Sequence, residues 1–228
     1  MTAVRPSDAA TLIVLDRSVG APRVLMGRRH SSHKFMPGKF VFPGGRLEAS
    51  DRRMAIAGPL DEVVEAKLNA RARRPSAHLA RALALAALRE TFEETGIAIG
   101  VRDCGAPENP PEGEWSRFAA TGVFPALDVL DFLARAITPP KRTKRFDTRF
   151  FLADAAAIAH RQEGIAHAEA ELVELVWVTL KETAALDLPG ITRIILDDLS
   201  AALDGGMNRH RPRPFYHEYR GRWLREEL

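Results

Sequence analysis

The sequence predicts an α/β protein, with a mixed sheet and one long helix laid against a face of it. Three observations carry this. Apolar, β-rich runs come early, at residues 11 to 17 and 23 to 29. A stretch rich in Ala and Leu spans residues 76 to 94, and a further β-rich segment starts directly after it at Ile97. The order strand, strand, strand-loop, helix, strand suits layers packed about a common core. At 228 residues the chain can bury a substantial core, as one large domain or one domain with an insertion.

Taken in order, Thr11-Leu-Ile-Val-Leu-Asp-Arg17 reads as a buried strand. Gly20-Ala21-Pro22 turns the chain, and Arg23 to Arg29 reads as a strand pairing with the first. Phe40-Val41-Phe42 is a third, delivering the chain into Pro43-Gly44-Gly45. The helix over 76 to 94 has Ser76 at its N-cap, and Gly96 stands where a left-handed residue would stop it. On this helix Glu90, Glu93 and Glu94 sit at i, i+3 and i+4, so their carboxylates share one face. Arg89 lies four residues before Glu93 and can brace it. Like charges this close repel, and a divalent cation reverses the sign of that repulsion. Carboxylate oxygens suit hard Mg²⁺ or Mn²⁺, which also bind substrate phosphates. The two glycines complement the helix, because they let backbone groups approach an anion or a metal closely.

These two pieces resemble the Nudix hydrolases, whose pattern is G-x5-E-x7-R-E-U-x-E-E-x-G-U with U aliphatic. Gly45 opens the pattern; Arg89, Glu90, Glu93, Glu94, Gly96 and Ile97 close it. Three departures stand out. Asp51 occupies the place of the first glutamate, Thr91 that of the aliphatic residue after Arg-Glu, and 37 residues rather than 7 separate Asp51 from Arg89. The resemblance implies an α/β/α sandwich with helical insertions. It also implies metal ligation by Glu90, Glu93, Glu94 and Gly45, and orientation of the glutamates by Arg89. Upstream, Leu25-Met26-Gly27-Arg28-Arg29-His30, then Lys34, Gly38 and Phe42-Pro43-Gly44-Gly45, keeps the spacing of a motif in the coenzyme A diphosphatases of that family. Arg29 and Lys34 then supply cations for substrate phosphates beside Gly44 and Gly45.

Residues 52 to 75 are the insertion. Leu60, Val63, Val64, Lys67 and Leu68 follow helical spacing and predict a helical hairpin arm ending at Arg71-Ala-Arg-Arg-Pro75. Similar inserts occur in the larger, peroxisomal-type coenzyme A hydrolases of the family. A Pro- and Gly-rich loop (105 to 113) leads into a second predicted helical segment over 114 to 137, read as a lid or dimer surface. Its aromatics suit core packing or a groove for an acyl chain. Lys141-Arg-Thr-Lys-Arg145 is a basic cluster ahead of a β-rich run, where Phe146 and Phe150 offer faces for stacking on a base. The acidic loop before Val176-Trp177-Val178 supplies Glu171, or failing that Glu169, as general base. Residues 191 to 203 form a further helix, and the aromatic tail from Met207 packs back onto the domain.

Composition narrows the function classes. No apolar run is long enough for a membrane span, and no leader segment is evident, so a cytoplasmic home is the default. A single Cys104 forms no internal disulfide, and the seven histidines lack zinc spacing. The net charge of +3 is small for this length, and a pI of about 9.3 mildly favours anionic partners, a nucleotide before a nucleic acid. The expected activity is metal-dependent cleavage of the diphosphate of a nucleoside diphosphate linked to another group, with coenzyme A or acyl-CoA first among substrates. Alternatives are ADP-ribose, a dinucleoside polyphosphate or a damaged nucleotide, or a Nudix-like sensor or nucleic-acid binder without chemistry. A small-molecule substrate is the expected partner, and a homodimer is compatible with the inserted segments.

Overall fold

The computed structural model describes residues 4–32, 36–140 and 142–228. Strand β1 (Ser7–Asp16) runs through the middle of the large sheet. Its stretch from Leu12 to Leu15 is apolar at every residue because it is covered on both faces. Leu12 and Val14 point into one core and Ile13 and Leu15 into the other. β2 (Arg23–Arg29) pairs antiparallel with the end of β1, and the short β3 (Phe40–Val41) pairs with β2. β4 (Gly44–Arg46) pairs antiparallel with the beginning of β1. The same strand therefore holds the glycine loop at one end and β2 at the other.

Between β4 and the long helix lies α1 (Glu62–Asn69), capped by Asp61, whose carboxylate accepts from the Val63 and Val64 N–H groups. The expected helical hairpin over 52–75 is corrected to this single helix, preceded by a 3-10 turn at Ser50–Arg52. The rest of the segment is spent crossing to α2 and to the chain's end. Lys67 Nζ donates to the carbonyls of Arg209 and Arg211, Arg209 pairs with Asp61, and Arg71 with Glu226. The insertion is thus tied to the C-terminal segment.

α2 (Ala77–Thr95) forms as its sequence predicts. The Ser76 hydroxyl accepts from Leu79 N–H at 3.1 Å, and Gly96 closes the helix at φ 73°. Its Leu and Ala faces pack on β1 and on β5 (Ile97–Val101). β5 does not join the large sheet. It lies in a three-stranded sheet with β6 (Phe124–Pro125) and β9 (Ile158–Arg161).

The second helical segment also shortens. α3 covers only Glu114–Ala120, and Leu130–Ile137 is strand β7. The spacing of Leu127, Leu130, Phe132 and Leu133 fits a helix as well as a strand, and tertiary pairing decides. β7 runs antiparallel to β8 (Phe146–Asp154) with a bulge between Phe132 and Ala134, placing Phe132 in one core and Leu133 in the other. Trp115 and Phe118 of α3 are wholly buried and pack edge to face, so these aromatics are core and not the wall of an acyl groove. Phe150 is buried too, which removes it as a base-stacking face.

β8 lies parallel to β1 from Ser7↔Phe146 to Leu15↔Asp154. β10 (Leu172–Thr179) extends the sheet beyond β2. α4 (Gly190–Asp204) covers the face opposite α2 with Ile195, Leu196 and Leu199. β11 (Pro214–Tyr219) pairs parallel with β7, and β12 (Arg222–Glu227) closes a hairpin on it. Nine of the strands among the described residues thus form one mixed sheet between helical layers, the predicted α/β/α sandwich.

Ser76→Ala removes the cap of the central helix, so thermal or urea unfolding should show a loss of about 1 kcal/mol with no change in circular dichroism.

Candidate metal centre

The end of α2 and the glycine loop meet closely. The Gly44 N–H donates to Glu94 Oε2 at 3.1 Å. A side chain at Gly45 would run into the Glu90 carboxylate, and one at Gly44 would reach the Ala10 carbonyl and Thr11 Oγ1 at 2.6 Å. Both positions need glycine for this approach alone.

Arg89 organises the carboxylates. Its Nε donates to Asp51 Oδ1 at 2.8 Å, and its Nη2 to Asp51 Oδ2 at 3.2 Å and to the Arg46 carbonyl at 2.9 Å. Its Nη1 reaches Glu90 Oε1 at 3.0 Å and Glu93 Oε2 at 3.2 Å. Asp51 is fully buried and accepts two further hydrogen bonds, from Glu48 N–H at 2.8 Å and Trp115 Nε1 at 2.9 Å. A buried guanidinium–carboxylate pair holds only when its remaining hydrogen-bonding capacity is met, and here it is largely met.

The electrostatics follow from burial without a cation. Burial pushes the Glu90 carboxyl up to about 7; Arg89 opposes this, while Glu93 and Asp51 add to it. Glu94 is driven well above the ordinary range by burial and by the charges of Glu90 and Glu171, against the Gly44 N–H and Arg29. Burial and Glu114 raise Glu93, with Glu48 and Glu171 adding to the effect and Arg89 opposing it. Burial would lower Arg89, but the Asp51 hydrogen bonds and the charges of Glu90, Asp51 and Glu48 hold it above its usual value.

Glu171 precedes β10, with its side chain 47% exposed and its Oε1 paired with Arg29 Nη2 at 2.8 Å. Its own carbonyl accepts from His30 N–H at 3.0 Å, which fixes this loop to the end of β2. Of the residues singled out in the sequence, Gly44, Gly45, Arg89, Glu90, Glu93 and Glu94 come together, with Arg29 and Glu171 beside them. Lys34 lies outside the described residues, and Glu169 is exposed on its turn. Asp51 and Trp115 were not singled out as site residues. Asp51 had a signal in its place within the pattern, whereas Trp115 had none, since its partner lies in a distant turn.

Among the described residues no three His, Cys, Asp or Glu side chains converge as a finished cation cage, and the carboxylates pair with arginines instead, Glu90 and Glu93 with Arg89 and Glu171 with Arg29. The donors nonetheless fit a hard divalent ion. They are carboxylate oxygens, all three α2 glutamates are held with raised proton affinity by burial and by neighbouring carboxylates, and backbone lies against Glu90 and Glu94 without an intervening side chain.

No protein-family model matches the sequence. A Caenorhabditis elegans protein that carries the name nudix hydrolase 7 is 28% identical over 184 residues, covering 77% of this chain and 52% of that protein. The chain therefore spans about half the length of this curated relative. The crystal structure of a NUDIX hydrolase from Alicyclobacillus acidocaldarius superposes with a TM-score of 0.64 at 27% identity, over 87% of this chain and 92% of that one. The architecture is that of the Nudix fold, and both similarities support the Nudix hydrolase family.

Two outcomes are expected. Folded Glu90 binds its proton more tightly than the unfolded chain does, so the stability this contributes is full below about pH 4.5 and is lost as pH rises to about 7. The metal-free chain should melt lower at pH 8 than at pH 5.5, by roughly 5 °C, and Mg²⁺ should raise the melting temperature more at pH 8. The raised carboxyls of Glu93, Glu94 and Asp198 act in the same direction as pH rises, whereas the lowered ones of Asp16, Asp61 and Asp154 lose their stabilisation only as pH falls. Trp115→Phe removes one donor to a buried charge and leaves a space where the indole was, and the two together should cost about 2–5 kcal/mol in urea unfolding.

Proposed function

We propose that this chain is a Nudix-type hydrolase that cleaves the diphosphate bond of a nucleoside diphosphate linked to another moiety. The observation that carries the reading is the packing of Glu90 and Glu94 against Gly44 and Gly45, braced by Arg89, although the two pieces are far apart in sequence. Glu90, Glu93, Glu94 and the Gly45 carbonyl would hold Mg²⁺ or Mn²⁺. Bound there, such an ion polarises phosphoryl oxygens and makes the attacking water more acidic.

The chain's own residues do the rest. Arg89 keeps Glu90 and Glu93 oriented, and Asp51 keeps Arg89 from turning away. Glu171 accepts the proton of the attacking water from the rim of the site. Arg29 and Lys34 meet the substrate phosphates, and the main chain at Gly44 and Gly45 lets the diphosphate come close. Coenzyme A or an acyl-CoA is the substrate assigned, with 3′,5′-ADP and a 4′-phosphopantetheine product. The support is the spacing from Leu25 through Arg29 to Gly45, together with Arg29's position beside Glu171 and Glu94. An unpaired phosphomonoester on the substrate suits this basic strand end.

The purified chain with Mg²⁺ is expected to release 3′,5′-ADP from coenzyme A faster than it hydrolyses ADP-ribose or a dinucleoside polyphosphate. EDTA should abolish turnover, and Glu93→Gln should lower kcat by about 100-fold or more, equivalent to ~2.7 kcal/mol. Turnover of another nucleotide alone would retire coenzyme A, and an unchanged rate in Glu93→Gln would retire the mechanism.

A further inference from the structure

The large sheet ends at β12, which pairs with β11 alone. Arg213 and Leu228 exchange both backbone hydrogen bonds, at 3.1 and 2.9 Å, just before this hairpin's first registered pair. Such pairs recur at every second residue of an antiparallel ladder, so Arg222, Leu224 and Glu226 spend their backbone groups on β11. The N–H and C=O groups of Trp223, Arg225 and Glu227 point away from the sheet. Two of the few exposed large apolar side chains also lie on this hairpin: Tyr219 at 56% and Trp223 at 45% exposure.

We propose that β12 is a homodimer interface, at which a second copy of this chain adds its own β12 antiparallel across a twofold axis through Leu224. The occupant is argued from the charge order of the strand. A twofold axis normal to the sheet pairs residues that face the same side, and the free backbone groups restrict hydrogen-bonded pairs to Trp223, Arg225 and Glu227. Centring on Leu224 meets both conditions. It sets Arg222 opposite Glu226 twice, Trp223 opposite Arg225 twice, and Leu224 opposite itself. The first pairs opposite charges and the second a guanidinium with an indole. Centring on Arg225 sets that arginine against its copy, and centring on Trp223 sets Arg225 and Glu226 opposite the hairpin turn at Gly221 and Arg220. Arg222 forms no ion pair with any described residue, and Glu226, which meets Arg71 and His217 through Oε2, keeps Oε1 for the Arg222 of the second copy. Read outward from Leu224 the strand is complementary to its own reverse, Arg222 to Glu226 and Trp223 to Arg225, as a self-pairing edge requires.

A contact of this size lies at the weak end of protein interfaces, so association should depend on concentration. Sedimentation or light scattering from low-micromolar to near-millimolar protein should show the mass of the full chain rising towards twofold. Arg222→Glu and Glu226→Arg should each remain monomeric, and an equimolar mixture of the two should dimerise, because opposite charges then face each other at both positions. Arg225→Pro, which removes an outward N–H from an edge strand, should also remain monomeric with the fold retained by circular dichroism. A wild-type chain that stays monomeric throughout, or a dimer that both charge variants leave intact, would overturn the assignment. Neither readout depends on the hydrolase reading.

Discussion

Arg89 is the residue on which the arrangement of the acidic site depends. One guanidinium spends its donors on Asp51, the Arg46 carbonyl, Glu90 and Glu93. It therefore ties the 3-10 turn, the glycine strand and the helix into one body. Glu90 and Glu94 are unstable neighbours so far from water, and the ion pair to Arg89 is part of what keeps Glu90 folded in, while Glu93 reaches Arg89 from the exposed side. Asp51 makes this tolerable, since a buried cation without its carboxylate would be far more costly than any exposed pair. The aspartate reaches as far as a glutamate would because its own turn packs directly on α2 and because Trp115 approaches from the other side.

Much of the architecture was legible in the sequence. The helix over 76–94 carried its own cap, its own stop and an interior of strong helix formers, so local and tertiary preferences agreed. The runs at Thr11 and Arg23 were equally plain, because a strand covered on both faces has no polar face to confuse the reading. The Leu130–Ile137 segment was not legible as a strand. Its apolar residues satisfy either period, and what settles it is pairing with β8 and a bulge that no local rule encodes. Similarly, the Ile97 strand was recognised but not its separate sheet, since its partners β6 and β9 are distant in the chain.

The site was legible in part for the same reason. Glu90, Glu93, Glu94 and the two glycines declare themselves through spacing on elements whose geometry is fixed locally. Asp51 stood in a recognisable place but with the wrong length. Trp115 could be read only as an apolar contact, because a hydrogen bond between its ring and a turn more than sixty positions earlier leaves no trace in either segment. The insertion was visible as surplus length, yet its tie to the C-terminal segment through Lys67 and Asp61 comes from carbonyls and an arginine that no pattern marks.

The parallel pairing of β1 with β8 has a bearing on how the molecule is made. Ser7 must find Phe146, so the middle of the sheet cannot close while the ribosome has released only the glycine loop and the acidic helix. Until then one long edge of β1 is bare and the charged trio has a single wall to lean on. Non-local closure of this kind is slow. The nascent chain therefore spends its longest interval with its most repulsive residues already in place and its central strand half-covered, the stage at which a chaperone would have most to hold.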